Sequence, residues 1–352
     1  MLRVGCQPLF GRSVERVSLT LAFCLFMSAP VLRVAITTTI THGDLGRLCP
    51  RRELRWGRCE FLLNPPRGTA CDFWIVWAGS RDRDQLRVAP QNTLFIAGEP
   101  PSKKIYPQKF YAQFHRIVST HAADPHPRVT TSLPGLNWHV GLNRETDRYA
   151  YGYDELKRLQ PGDKSDKISV VCSNLTTTAG QRQRLALLDH LKAALGDTIV
   201  HYGRGFTPIG DKMDAILPHS FHLVLENSSS PDYWTEKLSD AYLGWAHPLY
   251  VGCPNLGDYF PAAGFTLLDA TQPAAALETI RAKLRHWPTH ESLAQCRDLI
   301  LDTYNPFARF AHWAELYYQP GMTATAVSVT THKAFRPFPR GLLYRLKRRF
   351  AD

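Results

Sequence analysis

No run of 18 or more uncharged apolar residues occurs in the 352-residue chain, which excludes a bundle of membrane-spanning helices. No Cys-x-x-Cys pair and no zinc-finger histidine spacing accompany the eight cysteines, at Cys6, Cys24, Cys49, Cys59, Cys71, Cys172, Cys253 and Cys296. A disulfide-stapled secreted domain would be smaller and denser in cysteine, so these read as scattered reduced thiols. P-loop, Gly-x-Gly-x-x-Gly and Gly-x-Ser-x-Gly motifs are also missing, and no internal repeat or low-complexity tract is visible. Charged residues are only 21 % against 44 % hydrophobic. That balance excludes a disordered chain, a coiled coil or a collagen-like fibre, and fits about two globular domains.

Charge is scarce where a nucleic-acid groove would need it. The formal net charge is +11. Residues 1–60 hold nine Lys/Arg against four Asp/Glu, and residues 333–352 hold seven against one. The segment between them carries 26 of each sign and is neutral. Basic ends on a neutral body point to contact with an anionic surface, not to a nucleic acid.

The two ends have distinct patterns. Residues 17–32 are apolar behind Arg3, Arg12 and Arg16. That stretch is short for a spanning helix, and Pro30 after Ala29 suits signal cleavage poorly. Residues 1–26 are therefore read as an N-terminal extension before a natural start at Met27, or as a short anchor. At the other end, Leu342, Leu343, Leu346 and Phe350 recur at helical spacing among Arg345, Lys347, Arg348 and Arg349. Residues 333–352 read as a basic amphipathic tail, and we expect a cytoplasmic protein held peripherally on an anionic membrane. An N-terminally anchored protein is the alternative.

Residues 27–150 are strand-rich, with short buried strands predicted at 31–38, 60–63, 72–77, 93–97 and 116–119. From 165 to 325 strand and helix alternate. Strands at 167–172, 198–202, 221–225, 249–251 and 264–268 are separated by helices at 180–195, 211–217, 233–244 and 274–287, and two further helical stretches, 291–304 and 307–318, close the domain. Alternation of this kind predicts a parallel, doubly wound sheet with its ligand at the carboxyl ends of the strands. The chain is thus expected to be α/β, with two Rossmann-like domains facing a cleft. Asp82-Arg83-Asp84 imitates a metal-binding DxD motif but lies in an Arg/Asp run, and is read as a solvated turn.

The most informative segment runs from Phe221 to Leu238. A strand ends at Glu226-Asn227, a Ser/Pro/Asp turn follows, and a helix opens with Glu236 and Lys237 in its first turn. A helix N-terminus offers free N–H groups to a phosphate, and a lysine there adds a point charge. Glu236 could accept from ribose hydroxyls. An ordinary surface Glu-Lys pair is the competing reading.

Glu226-Asn227-Ser228, Asp232-Tyr233-Trp234-Thr235-Glu236-Lys237-Leu238, Ala241, Pro248-Leu249-Tyr250-Val251-Gly252, Pro254-Asn255 and Tyr259-Phe260-Pro261 together resemble the donor-site signature of family 10 glycosyltransferases, the α-1,3/1,4-fucosyltransferases. The likeness is dense over 221–261 and weaker from about 71 to 270. It implies a GT-B fold, GDP-fucose as donor, inversion at the anomeric carbon and no obligatory metal or cofactor. Tyr233, Glu236 and Lys237 match donor-contact positions, and Asn227 lies in the same signature. The family's diphosphate-binding arginine matches Arg184 best, with Arg182 next. Glu99, after an apolar strand, matches the context of the presumed catalytic base. His115, His121, His126 and His139 are rivals for that role. Trp234 and Leu225 depart from the usual residues, and the paired cysteines and long stem of animal members are missing, so the chain looks more like bacterial members. The expected function is transfer of fucose to a glycan or lipid-linked glycan hydroxyl. A transferase using another GDP-sugar, or a non-catalytic sugar-nucleotide or glycan-binding protein, is the alternative.

Overall fold

The computed structural model describes residues 30–40, 44–81, 83–100, 103–133, 135–143, 145–337 and 340–341. The apolar stretch before Pro30 and the tail after Gly341 lie outside the described residues, as does Asp82. Among the described residues, no helix is long and apolar enough to cross a membrane.

Two parallel sheets organise the chain, and the α/β class with two Rossmann-like layers is the one the sequence predicts. The first sheet contains β1 (Leu32–Thr38), β2 (Arg55–Trp56), β3 (Cys59–Leu63) and β4 (Phe73–Trp77). A separate strand, β5 (Arg83–Val88), precedes its further members β6 (Thr93–Ile96), β7 (Arg116–Ser119) and β8 (Val129–Thr131), with the short helix α1 (Gln108–Tyr111) between β6 and β7. Its strand order is β2-β3-β1-β4-β6-β7-β8, and only β2 runs antiparallel to its neighbour. Continuous apolar runs such as Phe-Trp-Ile-Val-Trp in β4 are buried at every position, as a sheet covered on both faces requires.

A two-stranded ribbon, β9 (Leu142–Asn143) with β10 (Arg148–Tyr149), and helix α2 (Tyr153–Arg158) lead to the second sheet. Its elements are β11 (Ser165–Val171), α3 (Ala179–Leu195), β12 (Ile199–Tyr202), α4 (Lys212–Ile216), β13 (His219–Leu225), α5 (Glu236–Leu243), β14 (His247–Val251), β15 (Thr266–Leu267) and α6 (Pro273–Leu284). The order β12-β11-β13-β14-β15 is parallel throughout. Sequence periodicity starts α5 at Tyr233. The helix in fact opens at Glu236, because Thr235 is its N-cap and accepts from the Lys237 N–H.

After α7 (His290–Asp298) and a π-helical turn at Leu299–Thr303, the chain returns to the first sheet. Helix α8 (Pro306–Tyr317) packs Phe307 on Phe61 and Phe310 on Trp77, with both ring pairs 5.1 Å apart, and Asn305 donates to the Leu48 carbonyl at 2.7 Å. Strand β16 (Thr325–Thr330) then pairs antiparallel with β5. Arg83 and Asp84, expected in a charged turn at 82–84, thus begin a strand. Asp84 is buried and accepts from the Arg81 Nε at 2.6 Å, so this carboxylate is already engaged within the fold. Among the described residues no three His, Cys, Asp or Glu side chains form a metal-ligand group.

Two buried histidines make the second sheet acid-sensitive. His222 Nδ1 is 2.8 Å from Ser169 Oγ, and His247 Nε2 is 2.9 Å from Thr266 Oγ1. Burial, reinforced by Lys212 for the first and Lys283 for the second, pushes each imidazole down to about 3. Both stay neutral in the fold, whereas the unfolded chain protonates them near pH ~6.5. The unfolded state binds more protons between these values, so stability falls as pH drops from ~6.5 towards ~3. At pH 5 the loss is on the order of 2 kcal/mol per histidine. Urea midpoints measured at pH 7 and pH 5 check this, and an unchanged midpoint refutes it.

Candidate active site

The carboxyl ends of β11 and β13 hold most of the residues singled out from sequence. Arg184, on the first turns of α3, is buried and donates to Asn227 Oδ1 at 2.6 Å and to Ser173 Oγ at 3.4 Å. Gly180 allows this approach, since any side chain there would strike the Asn227 carbonyl. Arg182, the second candidate, is exposed and donates to the Thr176 carbonyl at 2.9 Å, so it ties down the loop before α3. The structure therefore brings Arg184 to the strand ends and leaves Arg182 outside.

Glu226 is the buried centre of the cluster, and its role was not legible in sequence. Its carboxylate accepts from the Thr235 N–H at 2.9 Å, lies 2.8 and 2.9 Å from the Thr235 hydroxyl, and meets Lys237 Nζ at 3.2 Å. Lys237 Nζ also lies 3.3 Å from Glu236 Oε1. Burial alone would lower the Lys237 pKa, but Glu226 and Glu236 together hold it above the ordinary lysine range. Burial would likewise raise Glu236, yet Lys237, Lys212 and His139 hold its carboxyl well below the usual range. The surface-pair reading thus fails: Lys237 sits between two carboxylates in a half-buried row.

That row continues along α5. Lys212 Nζ is 3.9 Å from Glu236 and 2.6 Å from Asp240. Asp240 Oδ1 in turn accepts from the backbone N–H groups of His139 at 2.7 Å and Val140 at 3.0 Å, and Asp211 accepts from that of Gly141 at 2.7 Å. The connection between the two sheets is pinned to the N-cap of α4 and to the middle of α5. A cavity of about 600 Å³, lined by His139, Ser173, Arg204 and Lys212, opens beside it.

The turn before α5 is held rigid by the rest of the motif. Asp232 adopts a left-handed conformation, φ 58°, and its carboxylate accepts from Asn255 Nδ2 at 2.8 Å and the Tyr259 hydroxyl at 2.7 Å. Trp234 packs edge-on against Phe260 and Tyr304 at 5.4 and 5.5 Å, so this unusual residue fills a core position. Tyr233, between them, is 7 % exposed. Burial pushes its phenol above the ordinary tyrosine range, and the charges of Glu99 and Glu226 push it further.

Glu99, on the first sheet, is near enough for its charge to act on Tyr233. It follows β6, where Gly98 lies so close to Ala78 that a Cβ would stand 2.6 Å from the Ala78 methyl. The Tyr106 hydroxyl donates to the Ala78 carbonyl at 3.0 Å, and Lys103 pairs with Glu99 at 2.7 Å. Its side chain is 32 % exposed, open enough to meet a ligand. Of the rival histidines, His126 holds the Phe114 carbonyl at 3.0 Å and the Arg128 N–H, His121 lies 3.4 Å from Asp124, and His115 lies 3.4 Å from Arg128 at the opposite end of β7. His139 alone of the four reaches the row, 3.9 Å from Glu236.

This arrangement places cationic groups and helix N-termini where an anion can be held, and the first sheet adds a partly exposed carboxylate at Glu99. A family model described as glycosyltransferase family 10 (fucosyltransferase), C-terminal, matches residues 162–325. A 3-galactosyl-N-acetylglucosaminide 4-alpha-L-fucosyltransferase of Bos taurus is 31 % identical over 144 residues, 37 % of this chain and 38 % of that protein. A 4-galactosyl-N-acetylglucosaminide 3-alpha-L-fucosyltransferase of Homo sapiens is 30 % identical over 132 residues, 35 % of this chain and 36 % of that protein. The match spans little more than a third of the length of these curated relatives. A crystal structure of an alpha1,3-fucosyltransferase with GDP aligns with TM-score 0.47 at 16 % identity, covering 88 % of this chain and 95 % of the other.

Proposed function

We propose that the chain, whose residues 162–325 match the family model of glycosyltransferase family 10, transfers fucose from GDP-fucose to a hydroxyl of a glycan acceptor, with inversion, in an α-1,3 or α-1,4 linkage. The observation that carries this reading is the convergence of Arg184, Asn227, Glu236 and Lys237 at the carboxyl ends of β11 and β13, within the family-matching segment. In this reading Arg184 and Lys237 hold the diphosphate, Glu236 accepts from the ribose hydroxyls, and Tyr233 closes the sugar side. Glu99 removes the acceptor proton. The acceptor oxygen bonds to the anomeric carbon as the bond to GDP breaks, and the two cations stabilise the charge left on GDP.

No metal has a role in this scheme, so GDP should bind in EDTA. A calorimetric titration of the full chain with GDP in EDTA tests the proposal, and no binding would overturn it. Lys237→Ala removes a charge-assisted contact worth about 1.5–3 kcal/mol, or roughly 10- to 150-fold in affinity. The same titration reads that loss.

A further inference from the structure

At the opposite end of the second sheet, where β11 and β13 begin, lies a cavity of about 510 Å³. Ser220 lies six residues before Glu226 on β13, so this cavity is about 20 Å from the site above. Its walls include Lys164, Ser220, Trp245, Trp287 and His290.

Each wall restricts what could occupy it. Lys164 donates to the carbonyls of Leu217, His219 and Gly244, which uses its three N–H groups on helix and strand ends. Burial lowers it to about 8. It is a structural cap, with no donor left for an anion. Ser220 is 2 % exposed, and its hydroxyl makes no hydrogen bond within the chain. That oxygen is closed off from the cavity, so Ser220 shapes the wall without offering its hydroxyl to an occupant. Trp287 is 54 % exposed, an uncommon position for so large a ring.

Trp245 adds an independent sign. The N–H groups of Trp245 and Ala246 donate to the carbonyls of Tyr242 and Ala241, the two bonds of the motif that normally ends a helix with glycine. Trp245 takes the glycine position at φ 56°, where a bulky side chain is strained. Its Nε1 donates to the Leu159 carbonyl at 2.9 Å, and the Arg297 guanidinium lies 4.0 Å from the ring centre. The indole is thus fixed as a rigid wall of the cavity.

Aromatic walls with an imidazole and no spare lysine donor suit a ligand with apolar faces and a neutral hydroxylated edge. We propose that this cavity is a second ligand site that binds a neutral pyranose ring, laid on Trp287 beside His290. It stands independently of the transferase reading, because it uses none of the residues assigned to GDP.

The test uses the full chain with lactose, N-acetyllactosamine, maltotetraose and chitotriose as probes, followed by saturation-transfer NMR and indole fluorescence. At least one saccharide should bind, and saturating GDP should leave that binding unchanged. Trp287→Ala, an exposed substitution, should weaken it by about tenfold, the value of one aromatic contact. No binding by any probe at about 20 mM, the weak end of useful affinity, would overturn the proposal. Wild-type binding by Trp287→Ala would do so too, as would displacement by GDP. Failure of the GDP titration alone would overturn the donor assignment and leave this site standing.

Discussion

Glu99→Gln is expected to lower transfer by about 10²-fold or more, because the amide keeps the shape of the side chain but cannot take the acceptor proton. GDP affinity should stay close to wild type, since Glu99 is assigned to the acceptor side. Stability should barely change: the Lys103 pair at 2.7 Å is partly exposed, and such pairs are worth at most about 1 kcal/mol. Initial rates with GDP-fucose and a soluble acceptor, alongside a GDP titration, separate these effects. Equal rates in variant and wild type would remove Glu99 from the role and leave His139, 3.9 Å from Glu236, as the group to test next.

Glu226→Ala is expected to act on the fold itself. The carboxylate is nearly fully buried, and it supports both the N-cap Thr235 and the ammonium of Lys237. Removing it strands Lys237 beside Glu236 alone and empties the space under the cap, a loss on the order of 3 kcal/mol. Urea unfolding checks the magnitude, and an unchanged midpoint would refute it. Glu226→Gln preserves the volume and an oxygen acceptor for Thr235, so it should recover part of the loss while the ammonium stays less well held. The two variants together distinguish packing from charge.

The contrast between Lys237 and Glu226 shows what the sequence could reveal. A lysine at the start of a helix after a strand has a recognisable chemical use, and its position was legible from local pattern. A glutamate at the end of a strand looks the same whether it faces solvent or carries a cap, because the fold alone decides its burial. Strand β6 was visible as an apolar run, so Glu99 at its end was too. The pairing of β5 with β16 was not, since it joins Val88 to Thr325 across most of the chain. Its exposed Arg83, Gln85 and Arg87 also give β5 the look of a charged loop. Asp240 escaped notice for a related reason: its partners, the N–H groups of His139 and Val140, lie about a hundred residues upstream.

Helix α8 and strand β16 also set a schedule for synthesis. A ribosome delivers the strands of the first sheet early, yet Phe61 and Trp77 receive their aromatic partners only when Phe307 and Phe310 emerge. The edge of β5 likewise waits for β16. Until then the first half presents an unfinished apolar face and an unpaired strand, the surfaces by which nascent chains associate wrongly. Completion of the first half therefore waits on elements made after the whole second sheet, whereas β11 to β14 can assemble before them. Newly made protein should accordingly depend on holding chaperones through its N-terminal strands, with that dependence ending when the last quarter of the chain docks.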